Sequence, residues 1–140
     1  MSGYSENRPF GFYVLVAVLV FQGLTGVIGG LELARDPSGA TLRIPLQWLE
    51  GSPFADYLVP GLVLLTVLGL VPLLVAYGLW NRRPWSRAGA LFVGLSLIAW
   101  LAVEIAVVGY VREPPFQLLY GIVAGLIVVL TCVPSAIRGR

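Results

Sequence analysis

Four long apolar runs occupy most of this chain and constrain its fold more than any other feature. They cover residues 10–33, 57–80, 88–110 and 116–137. Each run exceeds the roughly 20 residues with which a helix crosses a hydrocarbon core of about 30 Å. None shows the alternation of a lipid-facing barrel strand, and a chain in lipid must satisfy its own backbone hydrogen bonds. The runs therefore predict an all-α fold, a bundle of four transmembrane helices.

The composition agrees with a membrane protein. Hydrophobic residues make up 58% of the 140 residues and charged residues only 11%, against about 25% charged residues in a soluble domain. The first run is too long for the apolar segment of a signal peptide, which has about 7–15 residues, so we interpret it as a retained helix. We predict a single transmembrane domain over residues 1–140, with helices at about 10–33, 53–81, 86–110 and 115–137.

Turn and cap residues mark the ends of these helices. The sequence Asp-Pro-Ser-Gly at 36–39 predicts a turn after the first helix, and Ser52 with Pro53 predicts the start of the second. The outer loop at 34–52 contains "IPLQWLEG", which predicts a short interfacial helix. That segment is either a plug that covers the bundle or a lid over an outward-facing pocket.

The arginines predict the orientation of the chain in the membrane, because positive charges favour the cytoplasmic side. The chain has no lysine, and its nine basic residues are all arginine. Three of them fall on one side (Arg35, Arg43 and Arg112), and the other six are Arg8, Arg82, Arg83, Arg87, Arg138 and Arg140. We therefore predict a multi-pass protein of the inner, cytoplasmic membrane with both termini in the cytoplasm.

Small residues predict where the helices approach each other, since helices in lipid associate through close backbone contact and polar bonds. The glycines either pack the four helices of one bundle or form a seam for a second copy or another subunit. Pro60 and Pro72 fall within the second helix, where each would remove a backbone hydrogen bond and bend the helix. The predicted helix-packing glycines are Gly23, Gly26, Gly30, Gly94, Gly121 and Gly125.

One carboxylate, Glu104, lies inside the apolar stretch "LIAWLAVEIAVVGY" at 97–110. A charge near the middle of a bilayer costs about 2.5–3.5 kcal/mol on insertion scales, so we expect this side chain to face the bundle. We predict that it bonds with Tyr120 and with either Thr25 or Gln22, and that these residues and Trp100 line a ligand site. Burial would keep the carboxyl neutral, whereas pairing with Arg112 would keep it ionised.

The sequence contains little that indicates catalysis. It has no histidine and a single cysteine, Cys132, which argues against most zinc sites and haem ligation and against an internal disulfide. It also has no paired carboxylates, nucleophile set or phosphate-binding loop. We predict no catalytic residue, no metal, no cofactor and no nucleic-acid partner.

Part of the sequence resembles a known group of proteins. The stretch "RDPSGATLRIPLQWLEGSPFADYLVPGLVLLTVLGLVPLLVAYGLWNRRPW" contains the turn at 36–39, the Leu-Glu-Gly-Ser-Pro-Phe link and the Pro-Gly opening of the second helix. It is similar to segments of small prokaryotic integral membrane proteins with four helices and no assigned reaction. The resemblance covers about a third of the chain and implies a four-helix membrane bundle without implying an activity.

Three functions fit these features. The first is a non-enzymatic accessory subunit or oligomer-forming scaffold, whose partners are membrane lipids and a second copy or a larger membrane complex. The second is a carrier or binder of a small hydrophobic or lipidic ligand in an outer-half cavity around Glu104. The third is an intramembrane enzyme such as an isomerase, which a lone carboxylate without a second acid or base supports least. The sequence favours the first.

Overall fold

The structure, a computed structural model, describes residues 8–39, 55–108 and 116–133. Over these ranges the chain is helical and contains no strand. The elements are α1 (Phe10–Arg35), α2 (Leu58–Leu65), a π-helical turn (Thr66–Leu70), α3 (Val71–Trp80), α4 (Ser86–Val108) and α5 (Phe116–Cys132). The elements α2, the π turn and α3 follow one another without a break, and we call them the second segment.

Three of the helical segments are long and apolar enough to cross a membrane. They are Phe10–Arg35, Leu58–Trp80 and Ser86–Ala106, and a shorter apolar helix covers Gln117–Cys132. The prediction of an all-helical chain built on long apolar helices is confirmed. The predicted interfacial helix in the first outer loop lies outside the described residues.

The second segment begins at Leu58, five residues after the predicted start at 53. A carboxylate oxygen of Asp56 accepts the Leu58 N–H at 3.1 Å, and the Tyr57 N–H donates to the Pro37 carbonyl at 2.9 Å, so the chain enters the helix from a fixed bend. Pro60 consequently lies in the first helical turn, where a backbone N–H has no partner within the helix. Pro60 therefore removes no helical bond, contrary to the expectation from sequence.

The last helix ends earlier than the predicted residue 137. α5 stops at Cys132, and Val133 is not helical. Val133 precedes Pro134, whose ring disfavours the helical conformation of the residue before it. The turn after α1, in contrast, forms where it was predicted: the Gly39 N–H donates to the Asp36 carbonyl at 3.1 Å, and Gly39 has a φ of 80°.

α1 is the central helix of the bundle. It contacts the second segment along its length and also contacts α5, while α4 packs against α3 and α5. α1 and the second segment run antiparallel, because Gly23 lies beside Leu73 and Gly30 lies beside Leu65. The most deeply buried apolar side chains come from α1, the second segment, α4 and α5 and include Leu15, Leu19, Leu68, Val93, Leu97 and Ile127.

The outside of the bundle is apolar as well. Large hydrophobic side chains are exposed on all the helices, among them Leu24, Ile28, Leu74, Phe92, Leu95 and Ile122. A helix that is apolar on every side belongs either in the centre of a large protein or in a membrane. These helices surround a small core and leave their outer faces uncovered.

Candidate functional site

A hydrogen bond between two helices lies at the centre of the described bundle. The Gln22 side-chain amide on α1 donates to the main-chain carbonyl of Leu68 in the π turn at 3.0 Å. Gln22 is 1% exposed and Leu68 is 1% exposed, so water does not compete for this bond. The amide oxygen of Gln22 is also buried and has no hydrogen-bond partner among the described residues.

Pro72 explains why the Leu68 carbonyl is available to Gln22. In an α-helix this carbonyl would accept the N–H of residue 72, four positions later, but proline has no N–H and its ring crowds that same carbonyl. The helix responds by widening into a π turn at Thr66–Leu70, as π turns commonly appear inside α-helices. Gln22 supplies the donor that the proline cannot. This satisfies, from a neighbouring helix, a carbonyl that the proline releases.

Glycines allow α1 to come close enough for this bond. A Cβ atom on Gly26 would lie 2.1 Å from the Leu68 oxygen, and one on Gly30 would lie 2.5 Å from the Leu65 nitrogen. On the second segment, a Cβ on Gly69 would lie 2.8 Å from the Val27 nitrogen. All three distances are to backbone atoms, which cannot swing away. The two helices therefore meet backbone to backbone.

The predicted packing glycines divide into two groups. Gly23, Gly26 and Gly30 face the second segment, and a Cβ on Gly94 of α4 would lie 2.7 Å from Val128 of α5. For Gly121 and Gly125 of α5, a Cβ would meet nothing within 4 Å in the described chain. These last two point outward, because α5 turns its other side, with Val123, Ala124 and Ile127, to the core. Of the two alternatives for these glycines, packing within the bundle has no contact to support it at Gly121 and Gly125 among the described residues, and a seam for another chain stays a prediction there.

The residues predicted to bond with Glu104 make other contacts. Gln22 donates to Leu68, and the Thr25 hydroxyl donates to the Phe21 carbonyl of its own helix at 3.0 Å. The Tyr120 ring stacks on Phe21, with ring centroids 6.0 Å apart. Trp100 is half-buried and packs against the core. Among the described residues no hydrogen bond links Glu104 to Gln22, Thr25 or Tyr120, so the predicted hydrogen-bonded cluster does not form.

Glu104 instead acts on Tyr57, the residue that precedes α2. Burial raises the pKa of the Tyr57 phenol above its ordinary value of 10.0, and the negative charge of Glu104 raises it further. Glu104 is half-buried near the end of α4. The carboxylate of Glu104 thus interacts electrostatically with the phenol of Tyr57 at the start of the second segment.

Sequence reasoning overlooked Leu68 and Gly69, on which the central contact rests. The signal was present: Pro72 identifies residue 68, four positions earlier, as the residue whose carbonyl loses its donor. Nothing in the sequence indicates which neighbouring side chain takes its place. That choice depends on the register of α1 against the second segment.

A cleft of about 390 Å³ lies at the end of the bundle where α1 begins and α3 is joined to α4. Four arginines line it: Arg8, Arg82, Arg83 and Arg87. None of the five predicted ligand-binding residues belongs to this cleft. The sequence argument had used these arginines only as markers of orientation.

In comparisons with known proteins, no family model matches the chain, and neither a curated protein nor a solved structure is significantly similar to it.

Proposed function

We propose that the chain is a non-enzymatic integral membrane protein of the cytoplasmic membrane that associates with a second copy of itself through the outward side of α5. Four apolar helices would cross the bilayer, with both termini on the cytoplasmic side as the arginines predict. The exposed apolar side chains around the whole bundle support a membrane location. In this role the protein is an oligomer-forming scaffold or accessory subunit.

The outward side of α5 supports self-association. The α5 outer face consists of Leu118, Gly121, Ile122, Gly125 and Val129, which share one side of the helix by their spacing of three and four residues. Leu118, Ile122 and Val129 are 53%, 55% and 60% exposed. The two glycines form a shallow groove beside three protruding apolar side chains. The observation that carries the proposal is that a Cβ on either glycine would meet no atom within 4 Å in the part of the chain that the structure describes.

The interior of the same bundle illustrates what such a groove does. Gly23, Gly26 and Gly30 lie on one side of α1, and there the backbone of the second segment packs directly against the backbone of α1. Gly121 and Gly125 have the small-xxx-small spacing that commonly joins membrane helices. A second copy is the natural occupant, because a glycine groove flanked by β-branched side chains is complementary to itself about a two-fold axis.

The experiment adds bulk to the groove. Gly121→Ile and Gly125→Ile should convert the dimer to monomer, measured by native mass spectrometry of the full chain in detergent. Ala17→Ile is the matched control, because Ala17 is an exposed small residue on the outside of α1, and it should leave the dimer intact. A wild-type chain that is monomeric in mild detergent and in lipid nanodiscs, or glycine variants that dimerise as well as wild type, would refute the proposal.

A second candidate function is the binding of a small hydrophobic or lipidic ligand near Glu104. It is favoured by one observation, namely a half-buried carboxylate in an apolar helix whose charge acts on Tyr57. Intramembrane acids commonly mark functional sites. Glu104→Gln separates this function from a structural role: loss of a co-purifying uncharged ligand at unchanged stability supports it, and retention of that uncharged ligand refutes it.

A further inference from the structure

We propose that the arginine-lined cleft binds the phosphate of an anionic membrane lipid. The cleft lies between the start of α1 and the connection from α3 to α4, and its volume of about 390 Å³ is within the range of small-molecule sites. This inference is independent of the α5 outer face, which lies on another helix.

The four arginines come from two parts of the chain, a residue before α1 and the connection from α3 to α4, and the fold brings these two parts together. Arg8 precedes α1, Arg82 and Arg83 follow α3, and Arg87 lies in the first turn of α4. A phosphate placed among clustered cations offsets their mutual repulsion. The four described carboxylates are all at the other end of the bundle: Glu32 at the end of α1, Asp36 in the turn, Asp56 before α2, and Glu104 near the end of α4.

Two of the arginines are held in place by the protein. Arg8 donates to the Trp80 carbonyl at 2.7 Å, and its guanidinium lies 4.2 Å from the centre of the Phe12 ring and 4.9 Å from that of the Trp80 ring. The Nε of Arg87 donates to the Thr131 carbonyl of α5 at 2.9 Å. Arg87 is anchored through its Nε, and the planar donors at the end of a guanidinium match the oxygens of a phosphate.

The backbone also places an arginine at a position that usually belongs to glycine. Arg82 has a φ of 58°, in the left-handed region where glycine is the common residue after a helix. The Arg82 N–H donates to the Leu79 carbonyl at 3.2 Å, and the Arg83 N–H donates to the Gly78 carbonyl at 2.8 Å. This cap fixes the backbone of two adjacent arginines at the wall of the cleft.

The surroundings of the cleft indicate a lipid as the source of the phosphate. Tyr13, Tyr77, Trp80 and Trp85 are 44%, 54%, 51% and 42% exposed at this end of the bundle. Exposed tryptophan and tyrosine rings are typical of the level of lipid headgroups. Basic clefts between membrane helices bind anionic headgroups at that level. The ligand class is therefore an anionic glycerophospholipid, such as phosphatidylglycerol.

The test uses the full chain in detergent and native mass spectrometry. Phosphatidylglycerol should bind more tightly than phosphatidylcholine, whose headgroup carries a compensating cation. Arg83→Gln and Arg87→Gln should each weaken phosphatidylglycerol binding by about fivefold. If Arg87→Gln misfolds, the result for Arg83→Gln alone tests the proposal, because the Arg83 side chain makes no hydrogen bond to another described residue. Arg35→Gln removes the same charge at the far end of the bundle and should change binding by less than about twofold.

Three results would overturn the assignment. The first is that Arg83→Gln binds phosphatidylglycerol as well as wild type. The second is that Arg35→Gln weakens binding as much as Arg83→Gln, since the effect would then come from overall charge. The third is that inorganic phosphate alone displaces the lipid at the same concentration, because the source would then be a soluble phosphate. Circular dichroism confirms that each variant remains helical.

Discussion

Gln22 and Leu68 are 46 positions apart in the sequence, and a hydrogen bond of 3.0 Å joins the side chain of one to the main chain of the other inside the bundle. The bond connects α1 to the π turn at Thr66–Leu70. The bond depends on Pro72, which has no backbone N–H to donate to the Leu68 carbonyl. It also depends on Gly26, whose lack of a side chain lets α1 lie against that carbonyl. A defect in one helix is thereby compensated by a side chain of another.

Gln22→Leu should destabilise the bundle by about 1–2 kcal/mol. The Leu68 carbonyl would lose its donor while remaining buried, which costs about 1–3 kcal/mol, although hydrogen bonds between membrane helices average only about 0.6 kcal/mol. Removal of the buried Gln22 oxygen, which has no described partner, offsets part of the loss. The measurement is the free energy of unfolding in detergent, titrated with sodium dodecyl sulfate.

The same substitution should cost less when Pro72 is replaced by alanine. Pro72→Ala restores a backbone N–H four residues after Leu68, so that the carbonyl has a donor of its own helix. A double-mutant cycle with Gln22→Leu and Pro72→Ala measures the coupling. If Gln22→Leu costs the same in both backgrounds, the proline is not the reason for the cross-helix bond.

Gly26→Ala should lower stability by about 1–3 kcal/mol, the usual cost of overpacking. The added methyl group would lie 2.1 Å from the Leu68 oxygen, so α1 and the second segment must separate. Gly29→Ala is the matched control on the same helix, since its methyl group would approach only the end of the Leu64 side chain, at 3.2 Å. The midpoint of thermal unfolding of Gly26→Ala in detergent should be well below that of Gly29→Ala. Equal midpoints for the two variants would contradict the backbone contact between α1 and the second segment.

Arg82→Gly should be more stable than Arg82→Ala by about 1 kcal/mol. Both variants lose the guanidinium, so they differ only in the cost of placing a Cβ in the left-handed conformation. Arg82 adopts that conformation with a φ of 58°. The comparison uses chemical unfolding of the two variants under the same conditions. An alanine variant as stable as the glycine variant would show that the helix end is rebuilt when the arginine is removed.

Stability should fall as the pH rises above about 10, and Tyr57 should contribute to the fall. The pKa of the buried Tyr57 phenol is raised above 10.0, so the unfolded chain releases this proton first and alkaline pH favours unfolding. Below the unfolded pKa both states hold the proton, and the group has no effect.

Unfolding measured from pH 8 to pH 11.5 tests this contribution. The free energy of unfolding of Tyr57→Phe should fall less steeply with rising pH than that of wild type, because the variant has no phenol to ionise at this position. The free energy of unfolding of Glu104→Gln should also fall less steeply than that of wild type, but the difference should be smaller. Burial is the larger cause of the raised pKa of Tyr57, and the charge of Glu104 is the smaller cause. A Tyr57→Phe variant that loses stability as fast as wild type would contradict the assignment.

Sequence by itself determined that this chain is built from long apolar helices and where most of them begin and end. The length and apolar character of the runs suffice for that, because a helix satisfies its backbone bonds locally. Pro9 and Asp36 bound α1, and Ser86 begins α4, close to the predicted positions. The predicted start of the second segment was wrong, because the observed start depends on a hydrogen bond between Tyr57 and Pro37, which are 20 positions apart in the sequence.

Only the tertiary structure decided which polar and small residues work together. Gln22 donates a hydrogen bond to Leu68 and not to Glu104. Gly26 lies against the backbone of the second segment, whereas Gly121 faces outward. These outcomes depend on the rotation and register of whole helices, which in lipid are selected by the sum of many close contacts. A glycine or a glutamine in the sequence indicates that a close contact or a polar bond is available, whereas the packing of the helices determines the partner.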